Sequence, residues 1–207
     1  MSAARSAILS RVAAARRTMR LPPPPDVERI AIPSRSTAEC LERFSQELAA
    51  LGVDLHLETT AADVRERARQ LAEGKRLLSW DAERLPYEVG SVLAGAAFGS
   101  SPREEQARAE VGVTGCDAAI AETGSLVLLS GKGRSRAVSL LPPLHVAIVQ
   151  PQQLCFSMAE FFVRERDRIE GEACCTFVTG PSRTADIELT LTLGVHGPGR
   201  VVVVVGP

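Results

Sequence analysis

"HVAIV", residues 145–149, and "VVVVV", residues 201–205, decide the fold of this chain, because an apolar run without polar alternation reads as a strand buried on both faces. Such strands belong to parallel or mixed sheets covered by helices on each side. Working outward, helix and strand signals alternate. Ser36 with Glu39 three residues on forms a capping box for a helix running to about Leu51, where Gly52 supplies the stop. The strand-like DLHLE, 54–58, follows; Thr60 and Asp63 repeat the capping pattern before a charged helix that ends at Gly74, and KRLLSW, 75–80, reads as another strand. Beyond residue 110 the order predicted is a glycine-punctuated stretch at 111–116, a strand over 119–129, a basic loop, a strand at 145–149 and a helix over about 151–168. A strand at 174–179, a short helix from Ser182 and a final strand at 200–205 complete it. The class is therefore α/β, a layered parallel or mixed sheet with helices on both faces.

The 207 residues suit one domain with an appendage. Residues 1–25 form the appendage. Arg5, Arg11, Arg16, Arg17 and Arg20 carry no acidic counterpart, Ile8, Val12 and Met19 recur at roughly helical spacing, and Pro22 to Pro25 make a stiff spacer. An organelle transit peptide has the same look, but the Ala/Arg/Val bias runs through the whole chain and favours a docking arm or edge helix. Residues 26–207 are the α/β domain.

Composition excludes several function classes. A formal net charge of -1 gives no global basic field, and 4% aromatic residues leave no stacking platform, so no nucleic-acid partner is expected. The longest apolar run is too short for a membrane span. Five cysteines, an odd number without disulfide-scaffold spacing, fit a reducing cytoplasm. No C-x-x-C or close cysteine run is present to hold an iron–sulfur cluster, so any electron carrier is expected in a partner. Three histidines without H-E-x-x-H predict no metal site.

Polar chemistry concentrates in two stretches. In "TGPSRTADIELTLTLGVHGP", 179–198, Gly180 permits a sharp turn and Pro181 suits a helix start. Ser182 and Thr184 would then lie near exposed amides, and Arg183 would offer a planar fork, which reads as a cradle for a small carboxylate or phosphate. Asp186 belongs to the same group; helix capping with an Arg183–Asp186 pair is the structural alternative. In "GVTGCDAAIAETGSLVLLSGKGRSR", 112–136, Glu122 interrupts an apolar strand and is followed by Thr123, Gly124 and Ser125. A carboxylate desolvated there would have a raised pKa and serve as a base, or would be held by backbone amides. Thr114, Gly115 and Asp117 could line the same crevice. Lys132, Arg134 and Arg136 in "GKGRSR" read as a cationic flap over an anion or as a solvated hairpin tip. His196, between glycine and proline, is a candidate proton carrier or a turn residue. His145 and His56 read as core. Cys116 is the one thiol worth testing for reactivity.

The motifs "GVTGCDAAIAETGSLVL", "SLLPPLHVAIV" and "TGPSRTADIELTLTLGVHGP", in that order, resemble the lactate-utilisation protein C family, the LutC-like proteins that carry the LUD domain. The resemblance runs from about residue 110 to 207, and more weakly through the N-terminal helix and the middle of the chain. It implies a fold similar to the sugar-phosphate isomerase and CoA-transferase group, a Rossmann-like layered α/β domain. It also implies a role in oxidising L-lactate to pyruvate beside two iron–sulfur partner proteins, with no cofactor in this chain. No catalytic role is carried over; Glu122 and His196 are acid/base candidates, and Thr123 to Ser125, Gly180, Ser182, Arg183, Thr184 and Asp186 are substrate-binding candidates. Alternatives are a non-catalytic assembly module, or a stand-alone enzyme of the CoA-transferase or sugar-phosphate isomerase type.

Overall fold

A computed structural model describes residues 3–19, 32, 35–184 and 192–207. Contacts divide the chain into two units, Met1–Ala31 and Ile32–Pro207. The first contains one described helix, α1 (Ala3–Thr18), with Arg16 and Arg17 in its last turn.

The second unit begins with α2 (Thr37–Leu51). Ser36 accepts from the Glu39 amide while Glu39 accepts from the Ser36 amide, and Gly52 closes the helix at φ 75°. Cys40, Phe44 and Leu48, four residues apart, make its buried stripe. β1 (Asp54–Leu57) leads to α3 (Ala61–Ala72), capped by the reciprocal Thr60–Asp63 pair and buried through Val64, Ala68 and Ala72. β2 (Leu77–Ser79), β3 (Ala97–Phe98), α4 (Arg103–Ala107) and β4 (Val111–Thr114) follow. Then come β5 (Ala118–Ile120), β6 (Ser125–Leu129), α5 (Ala137–Leu140), β7 (Leu144–Val149) and β8 (Leu154–Cys155). The chain continues through α6 (Met158–Arg164), α7 (Arg166–Gly171), β9 (Cys175–Val178), β10 (Arg183–Thr184), β11 (Thr192–Leu193) and β12 (Arg200–Val205).

Six strands form one parallel sheet in the order β1-β12-β7-β4-β2-β3. The two apolar runs that predicted it pair with each other, Val201 to Val205 beside His145 to Val149. Their side chains alternate between two cores. Val146, Ile148, Val202 and Val204 pack with Val64, Ala68 and Ala72 of α3, whereas Ala147, Val149, Val201, Val203 and Val205 pack with Phe44 and Leu48 of α2. Each valine fully buried in this way contributes about 1.5 kcal/mol or more, so the α/β layering follows from the sequence pattern.

A second sheet, β8-β5-β6-β9, lies against the other side of α2 through Ala119, Ala121, Leu126 and Leu154. Its opposite face packs Ala118, Ile120 and Val127 on Phe161 of α6.

Three local expectations change. The strand over 119–129 is a hairpin: β5 and β6 pair antiparallel and Ala121 to Gly124 form the turn, which Gly124 allows at φ 65°. The glycine-punctuated stretch is the buried strand β4, in which Gly112 is needed because a Cβ there would run into the Val138 carbonyl. The predicted helix over 151–168 is a short 3-10 turn, β8, α6 and α7, with Ser157 accepting from the Glu160 amide as the cap of α6.

Candidate functional site

The structure gathers part of the predicted polar group at the C-terminal end of α2. Thr123 Oγ1 and Ser125 Oγ lie 2.8 Å apart, and Ser125 Oγ and Thr179 Oγ1 2.7 Å apart, so three hydroxyls join the β5–β6 turn to the end of β9. Gly124 and Gly180, both at positive φ, let these two loops close on the helix: a Cβ would meet Leu51 at 3.0 Å from Gly124 and 3.2 Å from Gly180.

Arg183 donates from Nη2 to the Leu51 carbonyl at 2.6 Å. Its guanidinium thus sits at the negative end of the α2 dipole and caps it. No helix begins at Ser182. The Ser182 amide donates to the Pro198 carbonyl and the Ser182 carbonyl accepts from Gly194, which draws Arg183 and Thr184 into the two-stranded ladder of β10 with β11. The cradle of helix amides expected around Ser182, Arg183 and Thr184 is therefore replaced by a strap against residues 194–198. His196 is exposed in that strap. Glu122 is exposed on the hairpin turn, so the desolvation expected of it is absent. Asp186 lies outside the described residues.

A second constellation escaped the sequence reading. The Asp117 side chain is only 5% exposed; its Oδ1 accepts from Arg134 Nη1 at 2.7 Å and from Arg168 Nη2 at 2.6 Å, and its Oδ2 accepts from the Leu129 amide at 2.7 Å. Arg134 also donates to Glu172 at 2.6 Å, and Arg168 to Glu165 at 2.7 Å. Arg134 is thus an anchor that fixes the "GKGRSR" segment to β6 and α7. Arg168, on α7, carried no signal beyond its place in a charged run.

The anchored segment borders a cleft of about 470 Å³ at the carboxyl ends of β2 and β3. Asp81 follows β2, Gly99 and Ser100 follow β3, and Gly131, Lys132, Gly133 and Ser135 close the other side. Carboxyl ends of parallel strands are where open α/β sheets bind ligands. Residues 131–134 form a tight turn closed by the Arg134 amide on the Gly131 carbonyl, with Gly133 at φ 77°. Asp81 fastens it by donating its amide to Gly133. Behind the cleft, sharing Ser135 with it, is a cavity of about 10 Å³ bordered by Trp80, Ser130, Arg134 and Ser139. Ser130 Oγ and Arg134 Nε are buried there without a hydrogen-bond partner.

His145, at 0% exposure, has Nε2 2.9 Å from Thr114 Oγ1 and an unpartnered Nδ1; burial pulls its pKa down to about 4. Burial also pushes the Cys116 thiol well above the ordinary range and Cys155 up to about 12, which opposes thiolate chemistry at either. No helix among the described residues is long and apolar enough to cross a membrane.

Residues 41–205 match the family described as LUD domain. The chain is similar to "Lactate utilization protein C" of Exiguobacterium sp., 34% identical over 80% of this chain and 77% of that one. It is similar to proteins of the same name from Macrococcus caseolyticus, 33% identical over 81% and 78%, and from Geobacillus sp., 31% over 72% and 70%. Among solved structures, a DUF162 family protein from Deinococcus radiodurans aligns with TM-score 0.68 at 26% identity, over 84% of this chain and all of that one.

Proposed function

Because this chain belongs to the LUD-domain family, we propose that it is a subunit of a lactate-utilisation system that oxidises L-lactate to pyruvate and that binds a small anion on this chain. What carries the reading is the name shared by its relatives, lactate utilization protein C, at 31–34% identity over most of both chains. Removing two electrons and two protons from lactate gives pyruvate, so a minimal system needs a carboxylate anchor, a proton acceptor near the hydroxyl and an electron acceptor. Iron–sulfur partner proteins supply the last. This chain supplies the folded surface for the anion, and the carboxyl-edge cleft with Lys132 and Asp81 fits that task better than the strap around Arg183.

The test is a co-purification from cells grown on lactate, followed by an iron assay and lactate turnover with and without this chain. Co-purifying iron proteins and turnover that depends on the chain are expected. Turnover unchanged by its omission refutes the proposal. A scaffolding role is the second reading, favoured by the Arg-rich α1, whose Ile8 and Val12 are 61% and 50% exposed. Deleting residues 1–25 separates the two: lost co-purification with intact ligand binding marks the arm as the docking element.

A further inference from the structure

We propose that the cleft at the carboxyl ends of β2 and β3 is a selective site for a small hydroxycarboxylate monoanion, with its carboxylate held at the Lys132 turn and its hydroxyl on Asp81. The inference rests on the functional reading above and assigns it a place and a ligand class.

Three observations carry it. Lysine occurs twice, at 75 and 132, among 24 basic residues. The chain otherwise uses arginine, and Lys132 stands between Gly131 and Gly133 in a basic turn that borders the cleft; the other lysine, Lys75, lines a smaller cleft of about 220 Å³ beside Gly74. A lysine ammonium is a compact charge on a flexible stem and serves a small carboxylate without the planar fork that arginine imposes. The turn's own hydrogen bond runs from Arg134 to Gly131, and the amides of Lys132 and Gly133 have no partner among the described residues, which leaves two backbone donors in the turn.

The second observation is the opposite charge in the same cleft. Asp81 is half-buried, and its carboxylate lies so near the turn that a Cβ on Gly133 would come within 2.8 Å of Oδ2. A site for a simple inorganic anion gains nothing from a carboxylate on its wall. A ligand carrying a carboxylate and an adjacent hydroxyl does, since the hydroxyl donates to Asp81 while its charge is met by Lys132. Ser100 and Ser135 add hydroxyls on the remaining sides.

The third is rigidity. Arg134, two residues from Lys132, is held by Asp117 and Glu172, and Gly99 is needed for the approach of residue 135, because a Cβ there would collide with Ser135. The turn is preorganised, which lowers the ordering cost of binding.

Calorimetry and thermal shift on the full chain, at constant ionic strength, test this with L-lactate, with propionate, which lacks the hydroxyl, and with inorganic phosphate. Saturable binding of lactate is expected, with propionate weaker by about tenfold, the value of one charge-assisted hydrogen bond. Lys132→Ala should weaken both carboxylates, and Asp81→Asn should bring lactate down to the level of propionate. Lys132→Gln serves as a second variant, and ligand-free melting temperatures equal to the parent show that each variant folds. Failure of lactate to bind, equal binding of lactate and propionate, tighter binding of phosphate, or lactate binding unchanged by Lys132→Ala each overturns the proposal. Growth separates this failure from that of the functional reading. If a strain lacking the chain grows normally on lactate, the functional reading falls. If that strain fails to grow and Lys132→Ala restores growth fully, only the site assignment falls.

Discussion

His145 makes a measurable claim about how stability changes with acidity. Its side chain is fully buried, with Thr114 on Nε2 and no partner on Nδ1, and burial lowers its pKa from 6.5 to about 4. The unfolded chain therefore takes up a proton below pH 6.5 while the folded chain resists until about pH 4. A depressed histidine pKa means that stability present above pH 6.5 is lost as pH falls through that window, at most about 3 kcal/mol at its foot, and about 2 kcal/mol at pH 5. Carboxylates with lowered pKa, such as Glu39, Asp63 and Glu110, also lose stabilising contacts on protonation, but they start from 3.8 to 4.5, so they act mainly below pH 5 and equally in parent and variant. Urea denaturation at pH 7 and pH 5 on the parent and on His145→Gln isolates the effect, because the variant has no ring to titrate. The parent should lose about 2 kcal/mol more than the variant between the two pH values, at an unchanged denaturant slope. Parallel losses in both proteins would refute the assignment of this proton to His145.

Asp117→Asn removes the buried charge shared by Arg134 and Arg168, leaving Arg134 only Glu172, and should cost about 3 kcal/mol in urea unfolding with little relief from added salt; a loss below about 1 kcal/mol would show the network is not a stabilising anchor. Gly112→Ala places a methyl against the Val138 carbonyl and should lower stability by about 1–3 kcal/mol, read as a drop in melting temperature; a neutral result would mean α5 moves freely from the sheet. Arg183→Ala loses a helix-terminal contact and should cost about 0.5–1 kcal/mol while leaving lactate binding unchanged; loss of binding at constant stability would return Arg183 to the ligand site.

The sheet and its two covering helices were legible because their signals are local. The capping pairs Ser36–Glu39 and Thr60–Asp63 lie three residues apart, and the apolar runs of β7 and β12 reveal burial on both faces without reference to any partner. The β5–β6 hairpin was hidden because its turn, Ala121 to Gly124, begins with an apolar residue inside an apolar stretch. At Ser182 the proline and hydroxyls of a helix start are overridden by pairing with residues 192–198. The Asp117 network spans 51 residues to Arg168, and no periodicity encodes such a separation. The cleft draws its walls from three segments that meet only when β2, β3 and β6 are in place. Lys132 was visible as a cation in a flexible turn; its companion Asp81 was not.

β12 is the last strand in sequence, yet it sits inside the sheet, hydrogen-bonded to β1 on one side and β7 on the other. During synthesis, β1 has no neighbour in this sheet until residues 200–205 leave the ribosome. The nascent protein must therefore hold β1 unpaired for most of its translation and keep one flank of β7 open from residue 149 until residue 205 is made, a sticky, unsatisfied ladder that invites pairing with other chains. Yield in the cell should accordingly depend on how fast the final segment emerges and on holdase capacity, more than on the equilibrium stability of the finished molecule.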